Sequence, residues 1–273
     1  MPSEVIQANI DVHTRMADSY DRVEPHFRPE NRAKVRKTLE ELSRKAGGGK
    51  LLDLGCGTGF VIGLTKDLFK EVHGVDVTQA MLDRVDRSSG NITLHNSTAE
   101  KVPFADNYFD MATAYSFLHH TEDYRKVMRE TARVLRPGGL FYVDLEPNKA
   151  FWDHLAKLDD QDRPFQPLVA KAVDAALHTD DQVQKDYGIR KETFQKAEYG
   201  KAILGGVDPR EIRREFTSLG FKSCAVRLEW FLGQAEVMHG QSFEDAARVD
   251  AYLRSVGPLS DHLYKYVQII LTK

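Results

Sequence analysis

Apolar positions change period along the chain, and the changes mark its elements. In NRAKVRKTLEELSRKA, Val35, Leu39, Leu42 and Ala46 recur at spacings of 4, 3 and 4, which predicts one buried helical stripe. Gly47-Gly48-Gly49 stops that helix, and KLLDLG follows as a short apolar run that fits a buried strand. The alternation then repeats. Helical signal over Phe60 to Phe69 leads to a second strand in EVHGVDV, a helix at Gln79–Arg87 and a third strand at Ile92–Leu94. Phe109–Tyr115 reads as a fourth strand. A helix over 122–135, with Tyr124, Val127, Met128, Thr131, Val134 and Leu135 on one face, ends at Arg136-Pro137-Gly138-Gly139, and LFYVDLE makes a fifth strand. Strands alternating with helices predict an α/β fold: a doubly wound, Rossmann-like sheet, mostly parallel.

Beyond Pro147 the rhythm fails. Residues 148–200 carry helical pieces and a polar break at Gln161–Pro167. The α/β pattern resumes with a helix at Pro209–Leu219, a strand at Phe221–Leu232 and a last strand in YKYVQIILTK. The expected organisation is an N-terminal helical lid over 1–49 and an α/β core over 50–147 and 208–273. A helical cap insertion occupies 148–207, and a second insertion lies at about 233–262. Both insertions are expected over the carboxyl edge of the sheet.

Composition narrows the classes. A chain of 273 residues with 41% hydrophobic and 29% charged positions has enough apolar sequence for a core, which excludes global disorder. Its net charge of −3 lacks the footprint of a dedicated nucleic-acid binder. Two cysteines, Cys56 and Cys224, cannot build a disulfide framework. With no secretory leader at the N-terminus and no run long enough to span a bilayer, a cytoplasmic location is expected.

The chemistry concentrates in LLDLGCGTGF. Glycines at alternate positions directly after a strand permit a tight turn and let a ligand touch the main chain. No Lys-Ser/Thr pair follows, so this is not a triphosphate-binding loop. Asp53, at the strand end, would repel a pyrophosphate but suits a ligand carrying ammonium and sulfonium charges. Asp76, at the end of the second strand, stands where nucleotide-binding α/β folds place a carboxylate on ribose hydroxyls. As isolated residues both could simply cap the following helices; the pair flanking the glycine loop favours a nucleoside ligand.

These segments, with STAEKVPFADNYFDMATAYSFLHH and VLRPGGLFYVDLEPN, resemble the class I S-adenosylmethionine-dependent methyltransferases. They are most similar to the small-molecule group that includes ubiquinone and menaquinone biosynthesis methyltransferases. The resemblance covers about residues 12–146 and, more loosely, the last two strands. It implies a seven-stranded sheet with an antiparallel last strand. It implies S-adenosyl-L-methionine as cofactor and S-adenosyl-L-homocysteine as product. By the same resemblance Gly55, Gly57 and Gly59 wrap the methionine part, Cys56 sits among these cofactor-binding residues, and Asp53 organises the ammonium. Asp76 holds the ribose, and Val77 and Met81 flank the adenine. Ala99 and Glu100 belong to the turn beside the adenine, preceded by Thr98 where the family often carries Asp. Ala114 and Tyr115 approach the sulfonium, and Tyr20, in the lid segment HTRMADSYDRVEPHF, reaches the cofactor. His13, His26 and Phe27 are candidates for the substrate side.

Two groups could act as a base. Adjacent histidines on a helix point about 100° apart, so His119-His120 rarely serve one ion, and loop packing accounts for the pair as well. His119 is the first candidate base and Glu146 the second. Asp144, Glu146 and Asn148 form a trio of possible oxygen ligands at a strand end, but alternate strand residues face opposite ways and Asn148 fits a helix cap. No metal is expected. Cys56 reads as a small filler whose acidic neighbours raise its thiol pKa.

The expected function is methyl transfer to an O, N or C atom of a small, partly apolar metabolite, mainly by proximity and orientation. Non-methylating chemistry with the same cofactor, such as cyclisation or rearrangement, and a non-catalytic cofactor-binding interaction subunit are the alternatives.

Overall fold

A computed structural model describes residues 2–157 and 167–273. The polar break read at 161–167 lies, apart from Pro167, outside the described residues. Three N-terminal helices, α1 (Glu4–Met16), α2 (Tyr20–Val23) and α3 (Pro29–Ala46), precede the sheet. The core then alternates β1 (Lys50–Leu54), α4 (Phe60–Thr65), β2 (Glu71–Asp76), α5 (Gln79–Leu82), β3 (Ile92–Asn96) and β4 (Phe109–Tyr115). It continues with α6 (Tyr124–Val134) and β5 (Leu135–Pro147). Next come α7 (Lys149–Leu155), α8 (Pro167–Leu177), α9 (Thr179–Tyr187), α10 (Lys191–Ala197) and α11 (Tyr199–Ala202). The chain closes with α12 (Pro209–Glu215), β6 (Ser223–Phe231), α13 (Gln234–Gly240), α14 (Phe243–Ser255) and β7 (Tyr264–Thr272).

The seven strands form one sheet in the order β3-β2-β1-β4-β5-β7-β6. The first five pair in parallel, and β7 runs antiparallel to both β5 and β6. The last strand is therefore the antiparallel one, as expected. Pleating divides its side chains between two apolar layers. Leu52, Leu54, Ala112 and Val143 pack with Val127 and Met128 of α6 on one face, while Leu51, Val72, Met111 and Tyr142 pack with Val35, Leu39 and Leu42 of α3 on the other. The helical stripe read from the sequence is the buried face of α3, and Gly47 ends that helix in the left-handed conformation at φ 87°. Removing each such leucine from water contributes about 1.5–3 kcal/mol.

Several elements differ in length from the reading. The helices expected at 60–69 and 79–87 are short, covering Phe60–Thr65 and Gln79–Leu82. Arg136-Pro137-Gly138-Gly139 lies inside β5 rather than before it. The pairing with β4 shifts register between Phe109 and Met111, which absorbs the extra residues as an irregularity at the strand's start.

Candidate functional site

Two cavities meet above the carboxyl ends of β1, β2, β4 and β5. The first holds about 1000 Å³ of empty space, its open mouth included, and lies against the glycine loop. The second holds about 1590 Å³ on the same terms and lies between the N-terminal helices, helices α9, α10, α11 and α13, and β7. His13, Tyr20, His26, Tyr115, Ser116 and His120 line both, so they form the passage between them.

The loop after β1 takes its shape from glycine. Gly55, Gly57 and Gly59 have φ of 64°, 50° and 93°, a region other residues enter only at a cost. Space also matters at Gly55, where a Cβ would lie 2.0 Å from the Phe117 ring. Asp76 fastens the loop from the neighbouring strand, accepting from Gly57 N at 2.9 Å and from Thr78 N at 2.8 Å. Burial pushes the Asp76 carboxyl up, and those backbone donors oppose the shift.

Asp53 is 1% exposed. Its Oδ1 accepts from Thr113 Oγ1 at 2.7 Å, and its Oδ2 has no partner among the described residues. Burial raises its pKa to about 7, with the Thr113 hydroxyl pulling the other way and the charge of Asp76 adding to the rise. A buried carboxylate oxygen without a donor, lining a cavity, can accept from a cationic ligand.

The first cavity gathers Tyr20, Asp53, Gly55, Cys56, Gly57, Asp76, Val77, Met81, Ala99, Glu100 and Tyr115. Three candidates do not line it. Gly59 caps α4, and its missing Cβ leaves room for Val85. Thr98 stands just outside the wall formed by Ser97, Ala99 and Glu100. Ala114 is fully buried in the core, because strand alternation turns it into the apolar layer beside Val143 when Tyr115 faces the cavity. The Cys56 thiol is pushed well up by burial, with the charges of Asp76 and Asp53 adding to it.

The N-terminal helix contributes more than the reading assigned. Ser3, Val5, Ile6, Asn9 and His13 line the first cavity. Asn9 Nδ2 donates to Val5 O, His120 O and Ala197 O at 3.0–3.2 Å, tying α1 to the turn after β4 and to α10. Tyr20 has its hydroxyl pushed well up by burial, with Glu24 and Glu198 adding to the shift. His26 falls to about 4 through burial and is neutral. Phe27 lines neither cavity and packs on the rings of His26 and Phe60.

The two histidines sit in a 3₁₀ turn, Leu118–His120, not in an α-helix. Their ring centroids are 4.2 Å apart, so the expected divergence does not occur. His119 Nδ1 lies 2.9 Å from Glu146 Oε2 and its Nε2 lies 3.8 Å from Glu198 Oε2. Burial opposes charge on the His119 imidazole, but Glu146 and Glu198 outweigh it and raise the pKa. His120 falls to about 3, through burial and the neighbouring His119. Burial works to raise the Glu198 carboxyl, yet His119, His120 and Lys201 hold it at about 2.

Glu146 differs from its expected role as a base. It is fully buried, accepts from Phe117 N and Leu118 N on one oxygen and from His119 N on the other, and lines neither cavity. Its oxygens are committed to holding the turn, which leaves none for an acceptor's proton. The cause is local. Leu145 adopts φ 59° where β5 shifts register against β7, and this bulge turns Glu146 under the turn. Asp144 is likewise engaged, by Tyr142 Oη, by Gln268 Nε2 and by Leu145 N. Asn148 caps α7 by accepting from Ala150 N, as expected.

Residues 52–143 match the methyltransferase-domain family. A demethylmenaquinone methyltransferase of Listeria welshimeri is 34% identical over 151 residues, which cover 52% of this chain and 64% of that protein. The chain thus spans less than two thirds of the length of such relatives. An uncharacterized methyltransferase of Bacillus subtilis, YcgJ, is 34% identical over 41% of this chain and 48% of its own. The solved YcgJ structure superposes with a TM-score of 0.53 at 18% identity, covering 88% of this chain and 98% of its own. A phosphoethanolamine N-methyltransferase 2 of Haemonchus contortus superposes with a TM-score of 0.58 at 16% identity, over 95% of this chain and 56% of its own. No helix among the described residues is long and apolar enough to cross a membrane. Sheet order, glycine loop and domain match converge: residues 52–143 form a methyltransferase domain within a Rossmann-like sheet, and over about half its length the chain is similar to demethylmenaquinone methyltransferases.

Proposed function

We propose that the protein transfers a methyl group from S-adenosyl-L-methionine to an O, N or C atom of a small, partly apolar metabolite. The observation that carries this reading is the pair of connected cavities, with the unpartnered Asp53 oxygen in one and an apolar, titratable lining in the other. The residues present fit the cofactor. Asp53 would accept from its ammonium. Asp76 keeps lone pairs for the ribose hydroxyls, and Val77, Met81, Ala99 and Glu100 would enclose the adenine. When bound, the cofactor supplies a methyl group already activated by its sulfonium.

The protein's own work is positioning. Val12, Met16, Val35, Val183, Phe194, Trp230 and Met238 give the second cavity an apolar wall, and cap residues Glu198 and Lys201 close it beside His119. A bound acceptor would be held there away from bulk water and aimed through the passage between Tyr20, His26 and Tyr115. His119, which lines this cavity beside Glu24, is one of the residues able to exchange a proton with an acceptor. Relatives named demethylmenaquinone methyltransferases agree with an acceptor that has an apolar body.

Calorimetry with S-adenosyl-L-methionine tests the first half. Wild type should bind, and Asp76→Ala should lose about 1–3 kcal/mol of affinity through its charged hydrogen bonds. Incubation with methyl-labelled cofactor and a metabolite extract tests the second half. Label in a small product supports the reading; binding without turnover removes the transfer, and no binding removes both.

A further inference from the structure

We infer that His119, His120 and Glu198 form a binding site for a divalent transition metal at the wall of the second cavity. One potential ligand atom from each lies within 4.8 Å of the other two. All three line that cavity, with side chains only 6%, 13% and 14% exposed. Two imidazoles and one carboxylate are a donor set that suits Zn²⁺, Co²⁺, Fe²⁺ or Ni²⁺ and does not suit the oxygen-seeking Mg²⁺ or Ca²⁺.

The surroundings are those of an oriented ligand set. Metal-binding histidines commonly donate their second nitrogen to a carboxylate or carbonyl, which fixes tautomer and ring direction. Glu146 takes His119 Nδ1 at 2.9 Å, leaving Nε2 as the free nitrogen on the Glu198 side. His120 Nδ1 lies 2.9 Å from Ala197 O and 3.7 Å from Glu198 Oε1, so a metal held through that nitrogen must displace the carbonyl, whereas one held through Nε2 keeps it. Glu146 is itself held by three backbone amides, so the first histidine is anchored on β5.

The third donor comes from the cap. Glu198 joins α10 to α11, and Gly200 in α11 approaches so closely that a Cβ there would lie 2.8 Å from the His119 backbone. A site shared between core and cap would couple metal binding to cap docking. Glu198 Oε2 also lies 3.7 Å from Lys201 Nζ, a cation that the metal must displace. A metal here would have open coordination positions toward the cavity, where an acceptor oxygen could bind and lose its proton more readily. That last role rests on the reading of this cavity as the acceptor's; the metal site itself does not.

The test is titration of the metal-free full chain with CoCl₂, followed by visible absorption and calorimetry, with and without S-adenosyl-L-methionine. The expected result is one Co²⁺ per chain, a ligand-field band, competition by Zn²⁺, and a thermal shift absent with MgCl₂. Glu198→Gln should weaken Co²⁺ by tenfold or more, and His119→Gln should do the same. Circular dichroism melts establish that each variant is folded, and Glu198→Gln should still bind the cofactor. Absence of stoichiometric Co²⁺ binding to wild type overturns the site, as does binding that Glu198→Gln leaves unchanged. Failure of cofactor binding or methyl transfer would sink the proposed function and leave this titration readable.

Discussion

Glu146 Oε2 lies 2.9 Å from His119 Nδ1, and the same carboxylate gathers the amides of Phe117, Leu118 and His119. One buried acid on β5 therefore organises the turn that follows β4, and that turn borders both cavities. Glu146 holds the His119 ring and backbone and reaches neither cavity itself. Truncation should strand three backbone donors and an imidazole. Glu146→Ala should lose about 3–5 kcal/mol of stability in urea denaturation, the range for breaking a buried charged pair. Amide exchange should rise at Phe117 to His119 before it rises in β4. A loss under about 1 kcal/mol would show that water or rearrangement satisfies the turn without the carboxylate.

The glycine loop separates strain from space. Gly55 and Gly57 both sit at positive φ, but a Cβ at Gly57 meets nothing within 4 Å, whereas one at Gly55 strikes the Phe117 ring. Gly57→Ala should therefore cost only the conformational term, about 1–2 kcal/mol. Gly55→Ala should cost that plus a displacement of Phe117, whose amide Glu146 holds. Combining Gly55→Ala with Phe117→Ala should restore part of the loss, giving a non-zero coupling in a double-mutant cycle. Equal costs at the two glycines would mean the ring moves freely.

Legibility followed the range of the interactions. The placement of the loop, Asp53 and Asp76 at the first cavity was readable because strand-end glycines and carboxylates take their positions from a few residues of chain. The α3 stripe was readable for the same reason. Ala114 was misplaced because the family pattern names a segment, while pleating decides which of its residues faces the ligand. Glu146 was misread since its role comes from the bulge at Leu145, a left-handed leucine that no composition rule marks. The histidine geometry was missed because a 3₁₀ turn replaced the assumed helix. Glu198 carried no signal at all: an acid in a helical insertion looks solvated until the fold buries it.

Glu24 predicts a dependence of stability on pH. It lines the second cavity, 3.8 Å from His26, and its side chain is 30% exposed. Burial and the charge of Glu198 raise it to about 7, with Lys201 and His119 opposing. The folded state thus holds this proton more tightly than the unfolded chain. Its contribution is fully present below pH ~4.5 and is lost as pH rises to about 7. Glu24→Gln, which mimics the protonated form, should match wild type at pH 4 and exceed it by about 1–3 kcal/mol at pH 8. Urea midpoints at both values check this; a variant less stable than wild type at pH 8 would reverse the sign.

The same physics at Asp53 reaches the cofactor. The apo carboxyl titrates at about 7, because burial disfavours its charge and Oδ2 has no donor. A cationic ligand favours the ionised form, so binding below that pKa must expel a proton. Affinity for S-adenosyl-L-methionine should tighten as pH rises, by up to about tenfold per unit below pH 6, and level off above 8. Calorimetry at pH 6 in two buffers of different ionisation enthalpy should register close to one proton released per cofactor bound. Asp53→Asn keeps the shape, and its amide oxygen can still accept from Thr113, but it has no proton to release. Its binding should be weaker at pH 8 and nearly as strong at pH 6. The variant also carries the ligand's own amine titration, so the difference between the two proteins isolates Asp53. Equal proton release from both would place the coupled group elsewhere, with Asp76 the next to examine.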